Sequence, residues 1–238
     1  GRDEDFIKLE VTGDCERCNL MKAKLSRKNL SKANLKGANL TGADLSNTNL
    51  TNANLTNANL SRTNLSGADL VNANLKSADL SSANLKGANL SKAELNAYFE
   101  GANLSGADLF NAELRGANFK GANLSGADLS HTYIAGFNIA AHFVGANLSR
   151  ANITYADLSN TNFKGANLSG ADLSNTNFKG ANFRGANLSG ANLQNTNLSG
   201  ANLSNANLKL SNLKKISITK DTIFCNTKVP WGIDNSGC

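Results

Sequence analysis

Proline, tryptophan and methionine occur once each in these 238 residues, histidine twice and tyrosine three times. A single proline leaves the backbone free to pair almost everywhere, and two histidines cannot build a His-rich metal centre. No run approaches eighteen consecutive apolar residues, so no helical membrane span is expected. An acidic excess is also missing, the formal net charge being +6. The chain begins at Gly1 without Met, as either a processed mature form or a recombinant product would, so a removed targeting segment is one expectation and is not visible here. With 40% hydrophobic residues at this length, one elongated domain is expected rather than two globular ones.

What the chain has in abundance is a period. From Leu20 to Ile218 an apolar residue recurs every five positions, giving 41 units of which 31 are centred on Leu, six on Phe and four on Ile. Only two steps, near 96–99 and 140–143, are four residues long. Two positions before the centre, Ala occurs 30 times and Thr six times, and one position before it Asn or Asp is the rule. A helix turns about 100° per residue and would rotate such a unit by roughly 140° each time, spreading the Leu over its whole surface. Extended structure fits: Ala, Asn and Leu alternate in, out, in, and the next two residues are small and turn-forming. One such side cannot bury its face alone, so the units must coil and stack. Phe99, Phe119 and Ile139 lie twenty apart, as do Phe143, Phe163 and Phe183, so a four-sided coil would place each trio in one core column.

Tandem A-[ND]-L-x-x over about residues 13–223 resembles the pentapeptide repeat family. The resemblance implies an all-β fold, a right-handed quadrilateral β-helix of about ten four-sided coils and on the order of 50 Å long. Segments 1–19 and 219–238 then read as N- and C-terminal caps around a repeat domain at 20–218. In the first, Phe6-Ile7-Lys8-Leu9-Glu10-Val11 alternates like a strand that covers the open coil. Cys15 and Cys18 could form a redox dithiol, half of a zinc site, or a structural disulfide, or simply serve as small core residues. Zinc needs two further ligands, and Cys225 and Cys238 would be about ten coils away. Local pairs, Cys15 with Cys18 and Cys225 with Cys238, are therefore expected. The second would close a cap around Pro230 and Trp231. Disulfides point to an oxidising compartment, a periplasm or a thylakoid lumen. Cysteine-bracketed ends of this kind resemble exported family members of cyanobacteria and plastid lumens.

The irregular middle concentrates the rare residues. Tyr98, Phe110, His131, Tyr133, His142 and Tyr155 form a candidate partner patch, because aromatic side chains supply contact area at low entropic cost. The plainer alternative is that they pack over two distorted corners. Phe137 stands where Ala is the rule and would overfill the interior, so a bulge is expected around His131 to Val144.

Catalysis has no foothold. Nine outward Asp and Glu, from Asp44 to Asp172, read as spread over the faces without a close pair, and no nucleophile triad or phosphate loop occurs. No enzyme activity, cofactor, metal or small-molecule substrate is expected. Some members of the family are acidic rods that occupy the DNA site of a type II topoisomerase, a role that the positive net charge disfavours. The basic residues Lys36, Lys76, Lys86, Arg115, Lys120, Lys164, Lys179 and Arg184 fall on several faces, so nucleic-acid binding through a basic stripe is not expected. The expectation is a non-enzymatic structural or protein-interaction scaffold with an unknown protein partner, as a monomer or an end-to-end dimer. The runner-up is a regulator of a nucleic-acid enzyme, such as a type II topoisomerase, through protein contact.

Overall fold

Two backbone hydrogen bonds per side, repeated coil upon coil, build the molecule. In the computed structural model, which describes residues 1–134 and 139–238, Leu35 N–H donates to the Asn54 carbonyl at 2.8 Å and Asn54 N–H donates to Ala33 at 2.9 Å. The same pattern yields four parallel ladders, which begin at Asp14, Asn19, Lys24 and Asn29 and are numbered first to fourth in that order. Pairing runs on through Ser217, Ile223 and Lys228, so it crosses both composition boundaries at 19 and 219. Leu and Ala fill one continuous interior.

The corners explain the rest of the repeat. Ala38 N–H reaches back to the Leu35 carbonyl at 3.0 Å, with Gly37 at φ 64°, which is the arrangement of a type II turn. Asn occupies the same left-handed place at Asn57 and Asn175. The outward Asn holds the corner in a different way, through its side chain. Asn49 Oδ1 accepts Thr51 N–H at 3.0 Å and Asn187 Oδ1 accepts Ser189 N–H at 3.1 Å. Such Asx turns fix where each side ends, and Asp serves equally well, as Asp128 does for Ser130 N–H at 2.9 Å.

The first cap departs from expectation. Residues Arg2–Thr12 form a helix, α1, rather than a strand. Asp3, Glu4 and Asp5 in its first turn favour the positive helix end, and Gly13 at φ 67° closes it. Leu9 plugs the coil, with Phe6 packed beside it, while Ile7 and Val11 are exposed. The apparent alternation was a helical one-sided spacing, 6 and 9. The helix also covers the open edge: Asp5 Oδ2 accepts Asn19 N–H at 2.8 Å and Thr12 Oγ1 accepts Asp14 N–H at 3.0 Å, groups that would otherwise invite edge pairing.

At the other end Thr227–Val229 (β1) and Gly232–Asp234 (β2) form an antiparallel hairpin. Phe224 N–H donates to Ser236 at 2.8 Å. Phe224 and Val229 continue the buried centres, whereas Ile218, expected to be inward, is exposed. Disulfides join Cys15 to Cys18 and Cys225 to Cys238, and both Cys15 and Cys18 point inward.

The two breaks differ in kind. At the first, Ala97 N–H bonds directly to the Leu95 carbonyl at 2.7 Å, one residue is dropped, and Asn96 Oδ1 is left buried without a partner. At the second, the ladders pair residues 24 apart, as in Asn118 with His142 and Tyr133 with Asp157. That coil therefore gains four residues instead of losing one. Ile139 is not a core residue: it is 47% exposed and its Cγ2 lies against the Gly116 corner. The two expected trios merge into one column, in which Phe99, Phe119, Phe143, Phe163 and Phe183 stack with ring centroids 4.6, 4.8, 5.0 and 5.0 Å apart. The bulge expected around His131 to Val144 coincides with the added residues; Phe137 itself lies outside the described residues. Both breaks fall at the corner between the first and second ladders, with the regular corner Arg115-Gly116 between them.

Candidate partner-binding surface

Three ladder positions carry an aromatic ring where the corner takes Asn or Asp. Tyr98, Tyr133 and His142 keep their backbone bonds, Tyr98 N–H to Ala78 at 3.0 Å and His142 N–H to Ala117 at 2.9 Å. Their side chains carry no carbonyl to receive the amide two residues on, so each forgoes an Asx turn. Tyr98 and Tyr133 are exposed and lie outside the interior.

The six candidate residues do not form one patch. Phe110, His131 and Tyr155 meet at the corner between the fourth and first ladders, where His131 contacts the Phe110 ring edge-on and stacks on Tyr155, each pair 5.3 Å between centroids. Phe110 is 37% and Tyr155 59% exposed. Tyr133 sits on the first ladder beside that corner, between Glu113 and Asp157. Tyr98 and His142 stand on the second ladder with Asn118 between them, beyond the corner that carries both breaks.

The carboxylates are grouped, contrary to the sequence reading. Asp69, Asp108, Asp128 and Asp172 lie on the fourth ladder, and Glu94, Glu113 and Asp157 on the first. Only Asp79 on the second and Asp44 on the third fall elsewhere. Close pairs exist as well, since Asp108 pairs with Asp128 and Glu94 with Glu113 on successive rungs, about 4.8 Å apart. Asp108 is turned toward the aromatic corner by accepting Phe110 N–H at 2.8 Å. The bases keep to several faces, as the sequence suggests: Lys36, Lys76, Arg115 and Lys179 follow the first ladder, Lys120, Lys164 and Arg184 the second and Lys86 the third. Lys92 stands at the aromatic corner itself, its N–H on the Phe110 carbonyl at 2.8 Å, and Lys120 faces Glu100 at 3.8 Å. The carboxylates favour two adjoining ladders, and no single edge is basic.

Titration shifts are few. Asp44 is held below the ordinary aspartate pKa, first by the Ser46 hydroxyl, then by Ser46 N–H and the Asn64 amide. Asp221 is lowered mainly by the Thr219 hydroxyl. Among the described residues no group of His, Cys, Asp and Glu is arranged to hold a metal ion, and no helix is long and apolar enough to cross a membrane. A shallow depression of about 550 Å³ near Ser125, Asn147 and Arg150 is polar and open, and no catalytic constellation lines it.

Comparison with known proteins agrees with this geometry. The chain is similar to HetL, a pentapeptide repeat protein involved in heterocyst differentiation regulation in the cyanobacterium Nostoc sp., at 32% identity over 96% of this chain and 98% of that one, with a TM-score of 0.39. It is similar to QnrB1, a plasmid-mediated fluoroquinolone resistance protein, at 22% identity over 82% and 89% of the two chains, with a TM-score of 0.52. A thylakoid-lumen pentapeptide repeat protein of Arabidopsis thaliana shares 32% identity over 47% of this chain and 64% of its own, with a TM-score of 0.19. No curated protein matches the chain. The profile described as pentapeptide repeats matches eight copies, over residues 18–57, 58–96, 96–130, 141–180 and 176–215, leaving out the enlarged coil. The chain belongs to the pentapeptide repeat family, whose members form right-handed quadrilateral β-helices.

Proposed function

We infer that this chain is a non-enzymatic scaffold that docks a protein partner on the aromatic edge between its fourth and first ladders. One observation carries the reading: exposed aromatics stand at ladder and corner positions where the fold itself needs only Asn, Asp or a small residue. Exposed aromatic clusters of this kind are the usual anchors of protein interfaces. Tyr98 and His142, one face away, form a second contact area rather than part of the same patch.

The test is affinity capture from the source cell with cross-linking and mass spectrometry. Wild type is compared with a Phe110→Ala/His131→Ala/Tyr155→Ala variant whose far-UV spectrum is unchanged. Loss of a cross-linked partner supports the reading, and an identical partner set ends it. The compartment is proposed to be a periplasm or a thylakoid lumen, on the strength of two disulfides and the oxidising conditions that disulfides need. The runner-up, regulation of a type II topoisomerase by contact, draws on the grouped carboxylates; an unaffected gyrase supercoiling reaction would dispose of it.

A further inference from the structure

We propose that the partner presents a lysine- or arginine-bearing segment, laid lengthwise along this edge with its cationic groups between the aromatic rings and the Asp108–Asp128 pair. The proposal rests on the docking reading above and adds the chemistry of the occupant. Two independent features select a cation. Asp108 and Asp128 occupy successive rungs, and each carboxylate gives one oxygen to a corner amide, Phe110 N–H and Ser130 N–H. The second oxygen of each remains for a ligand, and an Asx turn holds the group in place without a flexible stem. Beside them stand the exposed rings of Phe110 and Tyr155, joined by His131, and aromatic faces attract Arg and Lys side chains.

The fold has no structural need for these acids. Asn fills most ladder positions and makes the same turn, so the carboxylates add charge and nothing else. Like charges on neighbouring rungs repel, a local cost that a bound cation removes. A second copy of this chain could offer its own surface lysines and arginines, and the test separates it from a foreign segment.

The experiment measures anisotropy of a fluorescein-labelled arginine–serine dodecapeptide, with a citrulline–serine peptide as the neutral match, on the full chain at low ionic strength. The arginine peptide binds and the citrulline peptide does not. Asp108→Asn/Asp128→Asn weakens binding roughly tenfold, as expected for two exposed ion pairs, and Tyr155→Ala weakens it about two- to fivefold. Asp44→Asn/Asp79→Asn removes the same charge from other faces and leaves affinity unchanged. Equal loss in both double variants, or none in the first, overturns the inference, as does sedimentation showing that a second copy of the chain already fills the site. If the alanine variant of the docking test loses its partner while Asp108→Asn/Asp128→Asn keeps it, the docking reading stands and the cationic occupant falls. If neither loses it, both fall.

Discussion

Replacing Phe143 with leucine distinguishes two registers of the coil. In the structure Phe143 lies between Phe119 and Phe163, with ring centroids 4.8 and 5.0 Å away and planes 7° apart in both cases. Phe99, at the head of the column, has one such neighbour, Phe119 at 4.6 Å. An aromatic pair is worth about 0.5–1.5 kcal/mol beyond its buried area. Phe143→Leu therefore costs about 1–3 kcal/mol in lost ring contacts plus roughly 1 kcal/mol for the smaller side chain. Phe99→Leu loses one contact and costs correspondingly less, by about 0.5–1.5 kcal/mol. Ile139→Ala completes the set. If Ile139 were the third member of a Phe99 column, its truncation would open a core cavity worth about 2–5 kcal/mol. Exposed against Gly116, it should stay within about 1 kcal/mol.

Guanidinium titration followed by far-UV circular dichroism and by tyrosine fluorescence reads all three, and the slope must hold constant across variants for the comparison to count. Tyrosine reports locally, since all three lie between residues 98 and 155. In a rod whose coils touch only their neighbours, a weakened middle coil can also uncouple the two halves, which would appear as a split between the two signals. Equal costs for Phe143→Leu and Phe99→Leu, together with a large cost for Ile139→Ala, would refute the continuous column and restore the register in which the second break is a deletion.

Gly116→Ala should destabilise more than Gly87→Ala, because both glycines sit near φ 65° but only at Gly116 would the new Cβ approach Ile139 Cγ2, at 2.9 Å; thermal melts compare them. Reducing Cys225–Cys238 releases a loop of thirteen residues' separation and should cost the C-terminal cap up to ~3 kcal/mol, seen as faster amide exchange at Phe224 and Val229, whereas reducing Cys15–Cys18, separated by three, should do little beyond local loosening. Asp44 has its folded pKa lowered by Ser46 and Asn64, so its stabilisation is present above the unfolded aspartate pKa and fades as pH falls through the lower folded value. Asp44→Asn keeps the turn, and amide exchange of Ser46 should lose that acid dependence; an unchanged profile would count against the assignment.

Most of the coil was legible because its period is set by geometry that every unit repeats. The Leu and Ala positions follow from spacing and the local cysteine pairs from the length of the rod, whereas the four-sided stacking came from the family resemblance, with the Phe spacing as support. The second break misled for a specific reason. Ile139 lies five residues after Ile134, so an apolar side chain stands by coincidence where a centre would fall, and the register runs on through an insertion. Only pairing with the coil before, Asn118 to His142, reveals that four residues were added. The helix was hidden because Phe6, Ile7, Leu9 and Val11 suit either period, and the decisive signals were the acids before them and Gly13 after. The carboxylate grouping could have been found: Asp108 and Asp128 are twenty apart, one full coil. Glu94 and Glu113 are nineteen apart, and the shortened corner concealed them.

The economy of the fold gives the strongest reason to look for function at its exceptions. A ladder Asn makes its Asx turn and can be exchanged for another residue without disturbing the interior, because the backbone bonds alone hold the coil, as at Tyr98 and His142. Each such exchange forfeits one hydrogen bond, about 0.5–1.5 kcal/mol. At Tyr98 and Tyr133 the replacement adds nothing to the interior, since both side chains stay outside it and largely exposed. Stacked like charges at Asp108 with Asp128 and at Glu94 with Glu113 add further local cost. These departures from the repeat lie within a few coils of one another and mostly on two adjoining faces. The coil itself asks for none of them, which is why the proposed docking edge is where substitution should change binding before it changes folding.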